Sequence, residues 1–93
     1  MKTVIVYDIS DNDRRLKVAR LLEAYGLSRI QRSAFVGNAQ LARARDVARK
    51  LESMIDEESD VVHVFFLQPQ DWGRTIVIGK PHWVRSLDGV KLV

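Results

Sequence analysis

Apolar and polar positions along the chain fall into alternating blocks. Residues 3–8 read Thr-Val-Ile-Val-Tyr-Asp, β-branched and apolar on both faces up to the closing acid. A run without a polar face predicts a central strand covered on both sides. Ser10-Asp11-Asn12-Asp13 follows as a dense helix-capping cluster, and acids there suit the positive end of a helix. From Asp13 to Tyr25, Val18, Leu21, Leu22 and Tyr25 recur at helical spacing, with Leu16 and Ala19 alongside. Gly26 then closes the helix, because the residue after a helix end favours the left-handed conformation.

The second half repeats the alternation. In residues 28–37, Ile30, Ala34 and Val36 take one side and Arg29, Gln31, Ser33 and Phe35 the other. Arg32 breaks the apolar side, so a bend or bulge is expected near Arg32-Ser33, in one bent strand or two short ones. Residues 39–57 predict a second helix with Leu41, Val47, Ala48, Leu51, Met54 and Ile55 on one face. Residues 61–68 predict an apolar strand closed by Pro69, and Gln70-Asp71-Trp72-Gly73 a turn. Thr75–Gly79 predicts the next strand, Asp88-Gly89 a turn, and Val90–Val93 a short terminal strand. Two helices on one face of a mainly antiparallel sheet make an α+β sandwich. The expected pattern is ferredoxin-like βαββαβ with an extra C-terminal strand.

Composition narrows the classes. A chain of 93 residues is one domain's worth, here 1–93, with 79–93 as a tail suited to a dimer or partner contact. A chain this short has a thin core, which association would extend. It has no Cys, which excludes disulfides, a thiol nucleophile and Cys-based zinc or iron–sulfur sites, and gives no reason to place it outside the cell. No apolar run approaches the ~20 residues of a membrane span, and the first residues read as a strand, not a signal peptide. Net charge is +3, but the basic residues concentrate in the first half of the chain. That points weakly to a polyanionic partner, the alternative being a solvated helix face.

Candidate chemistry centres on Asp8, at the end of the apolar first strand. It either caps the turn that follows or ligates a metal, since carboxylate oxygens suit Mg²⁺ and Mn²⁺. One carboxylate is a poor metal site. A homodimer with Asp8 near its two-fold axis would supply two, and an ion between them could bind a phosphate and activate water. His63 and His82 have no metal spacing, no Ser is paired with a nearby His, and the five Gly are scattered at element ends. Arg14, Arg15, Lys17, Arg29 and Arg32 would form a phosphate-binding stripe beside Asp8 if they face one surface; otherwise they solvate the exterior. Tyr7 and Phe35 could stack on bases, although strand aromatics more often belong to a core.

Two stretches carry a resemblance. Val6-Tyr7-Asp8-Ile9-Ser10-Asp11, with Arg14 and Arg15 and a helix ending Tyr25-Gly26-Leu27, is followed by Arg29-Ile30-Gln31-Arg32-Ser33-Ala34-Phe35-Val36-Gly37. Together they resemble the second universal CRISPR-associated (Cas) protein, the small nuclease-like subunit of the spacer-acquisition complex. The resemblance implies a cytoplasmic homodimer with a ferredoxin-like fold and Mg²⁺- or Mn²⁺-dependent endonuclease chemistry on RNA or DNA. It makes Asp8 the metal-binding and catalytic carboxylate. Tyr7, Arg15, Lys17, Arg29, Ser33 and Phe35 stand at its supporting or nucleic-acid-facing positions. It implies a CRISPR integrase subunit as partner and a C-terminal segment that adds a strand to a partner's sheet. Arg32 stands where an aromatic residue is common, Ala34 is smaller than the usual Val, and Val36 replaces a frequently acidic residue. The alternative is a non-catalytic scaffold that bridges integrase subunits and duplex DNA.

Overall fold

The computed structural model describes residues 1–38, 40–83 and 90–92. Its elements are β1 (Lys2–Asp8), α1 (Asn12–Ala24), β2 (Ser28–Gln31), β3 (Ala34–Gly37), α2 (Leu41–Met54), β4 (Val61–Leu67), α3 (Pro69–Gly73), β5 (Ile76–Val77) and β6 (Lys91–Leu92). The first four strands form one antiparallel sheet in the order β2-β3-β1-β4. With α1 and α2 between them, this is the ferredoxin-like βαββαβ arrangement that the apolar pattern predicts.

Local chemistry sets the boundaries. Asp11 caps α1 by accepting the Arg14 backbone N–H at 2.8 Å. Gly26 follows the helix with φ of 86°, a conformation that side chains with a Cβ resist. The stretch 28–37 is two strands, not one. They make a tight hairpin, with a register shift between Arg29 and Gln31 where Arg32 interrupts the apolar side.

Period-2 alternation splits β1 between two environments. Thr3, Ile5 and Tyr7 point to the helices, where Ile5, Tyr7, Ile9 and Phe35 pack against Val18, Leu22, Val47 and Leu51. Val4, Val6 and Asp8 point to the other face. Its far end is covered by Trp72 of α3, packed on Val36 with Val4, Ile30, Leu67 and Val77 around it. The near end, with Val6, Asp8, Val61, His63 and Phe65, is exposed among the described residues.

Three expectations are corrected. Residues 70–73 belong to a single helical turn: Pro69 starts it with the φ that a first helical residue needs, and burial of Trp72 holds it. The strand expected at Thr75–Gly79 reduces to Ile76–Val77 and stays outside the main sheet. It pairs in parallel with Lys91–Leu92 in a separate two-stranded sheet. Leu41, expected on the buried face of α2, is 44% exposed at its first position, and burial of that face begins one turn later at Ala44. The Asp88-Gly89 turn lies outside the described residues.

Asp60, just before β4, ties the ends of three elements together. Its carboxylate accepts Arg14 Nε at 2.7 Å and Nη2 at 3.2 Å, the Ser10 N–H at 3.1 Å and hydroxyl at 3.3 Å, the Asp56 N–H at 3.0 Å and the Ser59 hydroxyl at 3.2 Å. The Arg14 guanidinium and these N–H and O–H donors, which outweigh the opposing effect of burial, hold its carboxyl well below the usual carboxylate range. A depressed carboxylate contributes stability above its unfolded pKa of about 4, and that contribution is lost as pH falls further. Asp60→Asn is therefore expected to lower the melting temperature at pH 7 clearly, whereas Asp46→Asn, at an exposed pair on α2, should change it little. Melting curves from pH 7 down to pH 2 should show the two Asp60 forms converging as the acid end is reached.

Candidate nucleic-acid and metal site

Asp8 ends β1 on the uncovered sheet face. Its Cα partner across the ladder is Val61, and His63 stands opposite Val6, so His63 is the diagonal neighbour of Asp8 on the same face. The His63 ring lies flat against Phe65, with centroids 5.8 Å apart and planes 5° from parallel. Among the described residues the Asp8 carboxylate makes no hydrogen bond or ion pair, so it is not committed to capping the turn; Asp11 does that work. Its oxygens are the hard donors that Mg²⁺ and Mn²⁺ take. No group of three His, Cys, Asp or Glu side chains gathers around a common point among the described residues. The donor type thus fits a hard divalent ion, while one protomer supplies one carboxylate.

On the opposite side of the sheet, below the end of β1, lies a hollow of about 530 Å³ whose walls include Tyr7, Arg15, Arg29, Arg32, Ser33 and Trp83. Three elements build it: α1 brings Arg15, the β2–β3 hairpin brings the other two arginines and Ser33, and β1 brings Tyr7. The Tyr7 N–H donates to the Ser33 carbonyl at 2.9 Å, which holds the hairpin turn against β1. The Tyr7 hydroxyl donates to the Arg32 carbonyl at 3.4 Å. Burial raises the pKa of that hydroxyl, and the neighbouring Arg29 and Arg15 cations offset part of the rise. Among the described residues no acidic side chain lines the hollow. The Arg29 guanidinium is sandwiched, 5.0 Å from the Phe35 ring centroid and 5.6 Å from that of Trp83. Its Nε is buried with no hydrogen-bond partner among the described residues.

The stripe expected from sequence is therefore divided. Arg15, Arg29 and Arg32 meet. Arg14 is engaged by Asp60, and Lys17 borders a separate hollow with Asp11 and Asp13. Helix geometry explains the split: residues three apart, such as Arg14 and Lys17, share a side, and the residue between them at one step from Arg14 turns away by about 100°. Phe35 is fully buried, so its ring serves the core and the underside of Arg29 and offers no face to a base. Trp83 was not singled out in the sequence. Its signal was a lone indole in a short segment after Pro81, with nothing nearby in the chain to show what it packs against.

No helix among the described residues is long and apolar enough to cross a membrane.

Comparison with known proteins gives this geometry a lineage. The profile of the family described as CRISPR associated protein Cas2 matches residues 1–75. The chain is similar to the CRISPR-associated endoribonuclease Cas2 2 of Pyrobaculum aerophilum, 37% identical over 87% of this chain and 89% of that one. It is also 43% identical, over 70% of its own length, to part of a CRISPR-associated endonuclease Cas1/endonuclease Cas2 fusion of Thermoproteus tenax, of which it spans 25%. Among solved structures, Streptococcus pyogenes Cas2 superposes with a TM-score of 0.69 at 28% identity, covering 77% of this chain and 90% of that one. A family profile covering most of the chain, with relatives matched over nearly their whole length, shows that this chain belongs to the CRISPR-associated protein Cas2 family.

Proposed function

We propose that this protein acts in CRISPR adaptation as a cytoplasmic, nucleic-acid-binding homodimer that cleaves phosphodiester bonds in RNA or DNA. The observation that carries this reading is the uncommitted Asp8 carboxylate at the end of a rigid central strand, on an uncovered sheet face. Relatives named as endoribonucleases support the chemistry. The fusion relative supports a Cas1-type integrase subunit as partner.

The homodimer follows from two features. One is the open apolar face around Asp8, with Val6, Val61 and Phe65 exposed. The other is β4, an edge strand of the main sheet with an unpaired backbone edge among the described residues. A second copy on that face would cover both and bring two Asp8 carboxylates together. Held by that pair, Mg²⁺ or Mn²⁺ would supply Lewis-acid stabilisation of a phosphoryl oxygen. The chain's own residues supply the rest. At that pair water oxygen bonds to phosphorus and the sugar–oxygen bond to phosphorus breaks, while Arg15 and Arg32, on the other side of the strand end, hold a neighbouring phosphate of the same strand and offset its charge. Arg29, clamped between rings, fixes one charge without losing side-chain entropy on binding. Tyr7 and Ser33 position the hairpin that carries Arg32.

A second reading, a non-catalytic scaffold between integrase subunits and duplex DNA, draws on the single carboxylate per protomer and the lack of a three-ligand cluster among the described residues. The two are separated by Asp8→Asn. With Mg²⁺ or Mn²⁺, the nuclease reading expects cleavage of single-stranded RNA or duplex DNA to fall about 10²–10³-fold, the scale for removing one transition-state stabiliser. Melting temperature and dimer mass should not change. Equal cleavage by rigorously purified wild type and variant would leave the scaffold reading.

The arginine hollow makes a separate prediction. Arg15→Ala and Arg32→Ala should each weaken nucleic-acid binding and shallow the plot of log affinity against log salt by about 0.7–0.9 for each phosphate no longer neutralised. Arg49→Ala, on exposed α2, should leave the slope unchanged. Titrations across a salt series measure it.

A further inference from the structure

The hollow beside Arg29 contains more than a phosphate requires. Among the described residues its arginines face no lining acid, and the buried Arg29 Nε has no hydrogen-bond partner. A phosphate oxygen placed there would satisfy that donor and gain a charge-assisted bond. Trp83 adds a different kind of surface. Its half-buried indole borders the arginine hollow and a second hollow of about 380 Å³ shared with Glu23, Leu27 and Ser28. Arg29 lies over both the fully buried Phe35 ring and the half-buried Trp83 indole, so of the two rings the indole is the one that keeps exposed surface. Among the described residues its other ring neighbour is His82, edge-on, with centroids 5.7 Å apart and planes at 67°. The indole is thereby ordered before any ligand arrives, which reduces the entropy cost of binding.

We propose that this hollow takes one nucleotide of a single strand, with its phosphate on Arg15, Arg29 and Arg32 and its unstacked base against the Trp83 indole. The proposal rests on the reading above that these arginines meet nucleic acid, and extends it to the class of strand. A hollow of about 530 Å³ lies within the ~300–1,000 Å³ of small-ligand sites and suits a nucleotide. A duplex keeps its bases inside the stack and offers a concave site only its outer phosphates. A strand with free bases, or a frayed end, offers both groups, and aromatic stacking accepts any base because each has a π face. Glu23 borders only the second hollow, which leaves the phosphate to the arginine side.

The test compares wild type, Trp83→Ala, Trp83→Phe and Arg15→Ala as intact protein. The probes are a single-stranded oligonucleotide, a blunt duplex of the same sequence, a nucleoside monophosphate and inorganic phosphate. Trp83→Ala is expected to bind the single strand about 5- to 100-fold more weakly, the range for removing one base–aromatic stack, and the duplex as wild type does. Trp83→Phe, which keeps a ring should the alanine variant fold poorly, should retain most single-strand affinity. The nucleoside monophosphate should bind more tightly than phosphate and quench tryptophan emission in wild type but not in Trp83→Phe, where only buried Trp72 remains. Arg15→Ala should weaken both polymers. If Trp83→Ala weakens single strand and duplex alike, Trp83 only steadies Arg29 and the proposal fails. It fails also if Trp83→Ala matches wild type on the single strand while Arg15→Ala weakens binding; the arginine reading then survives. If Arg15→Ala changes neither polymer, the underlying reading itself is wrong.

Discussion

The carboxylate of Asp60 is the constraint on which the site depends. It joins Ser10, the second residue after β1, to the first turn of α1 and the loop that leads into β4. Those three segments meet where β1 ends, which is where Asp8 emerges and where the arginine hollow begins. A single buried acid with several donors is costly to place and effective once placed, because any one partner left alone would be a buried, unsatisfied group. Arg14 is the cation in this arrangement, and its position on α1 sets which side of the helix faces Asp60. Arg15, one step round the helix, is thereby turned toward the hairpin. The same interaction that anchors the fold therefore separates Arg14, held by Asp60, from Arg15, which lines the hollow.

The sheet separates two chemistries by alternation alone. Tyr7 and Asp8 are neighbours in sequence, yet one faces the helices and the other the open face. The candidate metal ligand and the arginine-lined hollow thus occupy opposite sides of one strand end. A short chain can hold both because the hairpin is pinned to β1 through Tyr7 and Ser33 and the core beneath is filled by Phe35. The open face leaves an apolar surface that a thin core cannot cover, and association is the ordinary physical remedy.

Much of this was legible in the chain. The apolar run at 3–8, the capping cluster at 10–13, the helical spacing of Val18 and Leu22 and the strand before Pro69 each act over a few residues, so local periodicity and cap chemistry determine them. The ferredoxin-like order follows from their succession. Asp8 could be singled out because a lone acid closing an apolar strand is conspicuous in one dimension. The motifs around Tyr7-Asp8 and Arg29–Phe35 pointed to the family that the comparisons show.

Tertiary structure decided the rest, wherever the outcome depends on partners far apart in the chain. Asp60 and Arg14 are 46 residues apart, and nothing local marks Asp60 as a clamp. The helical turn at 69–73 forms because Trp72 finds Val36 across the sheet, and β5 takes as its partner β6, fourteen residues further along the chain. The division of the arginines, and the place of Trp83 over Arg29, depend on how α1, the hairpin and the segment after Pro81 converge. Sequence by itself determined the elements, the central acid and the excess of basic residues, since these are properties of short windows. Which charges meet, which are spent on the fold and which face a ligand is a property of three-dimensional neighbours, and only the folded chain chooses them.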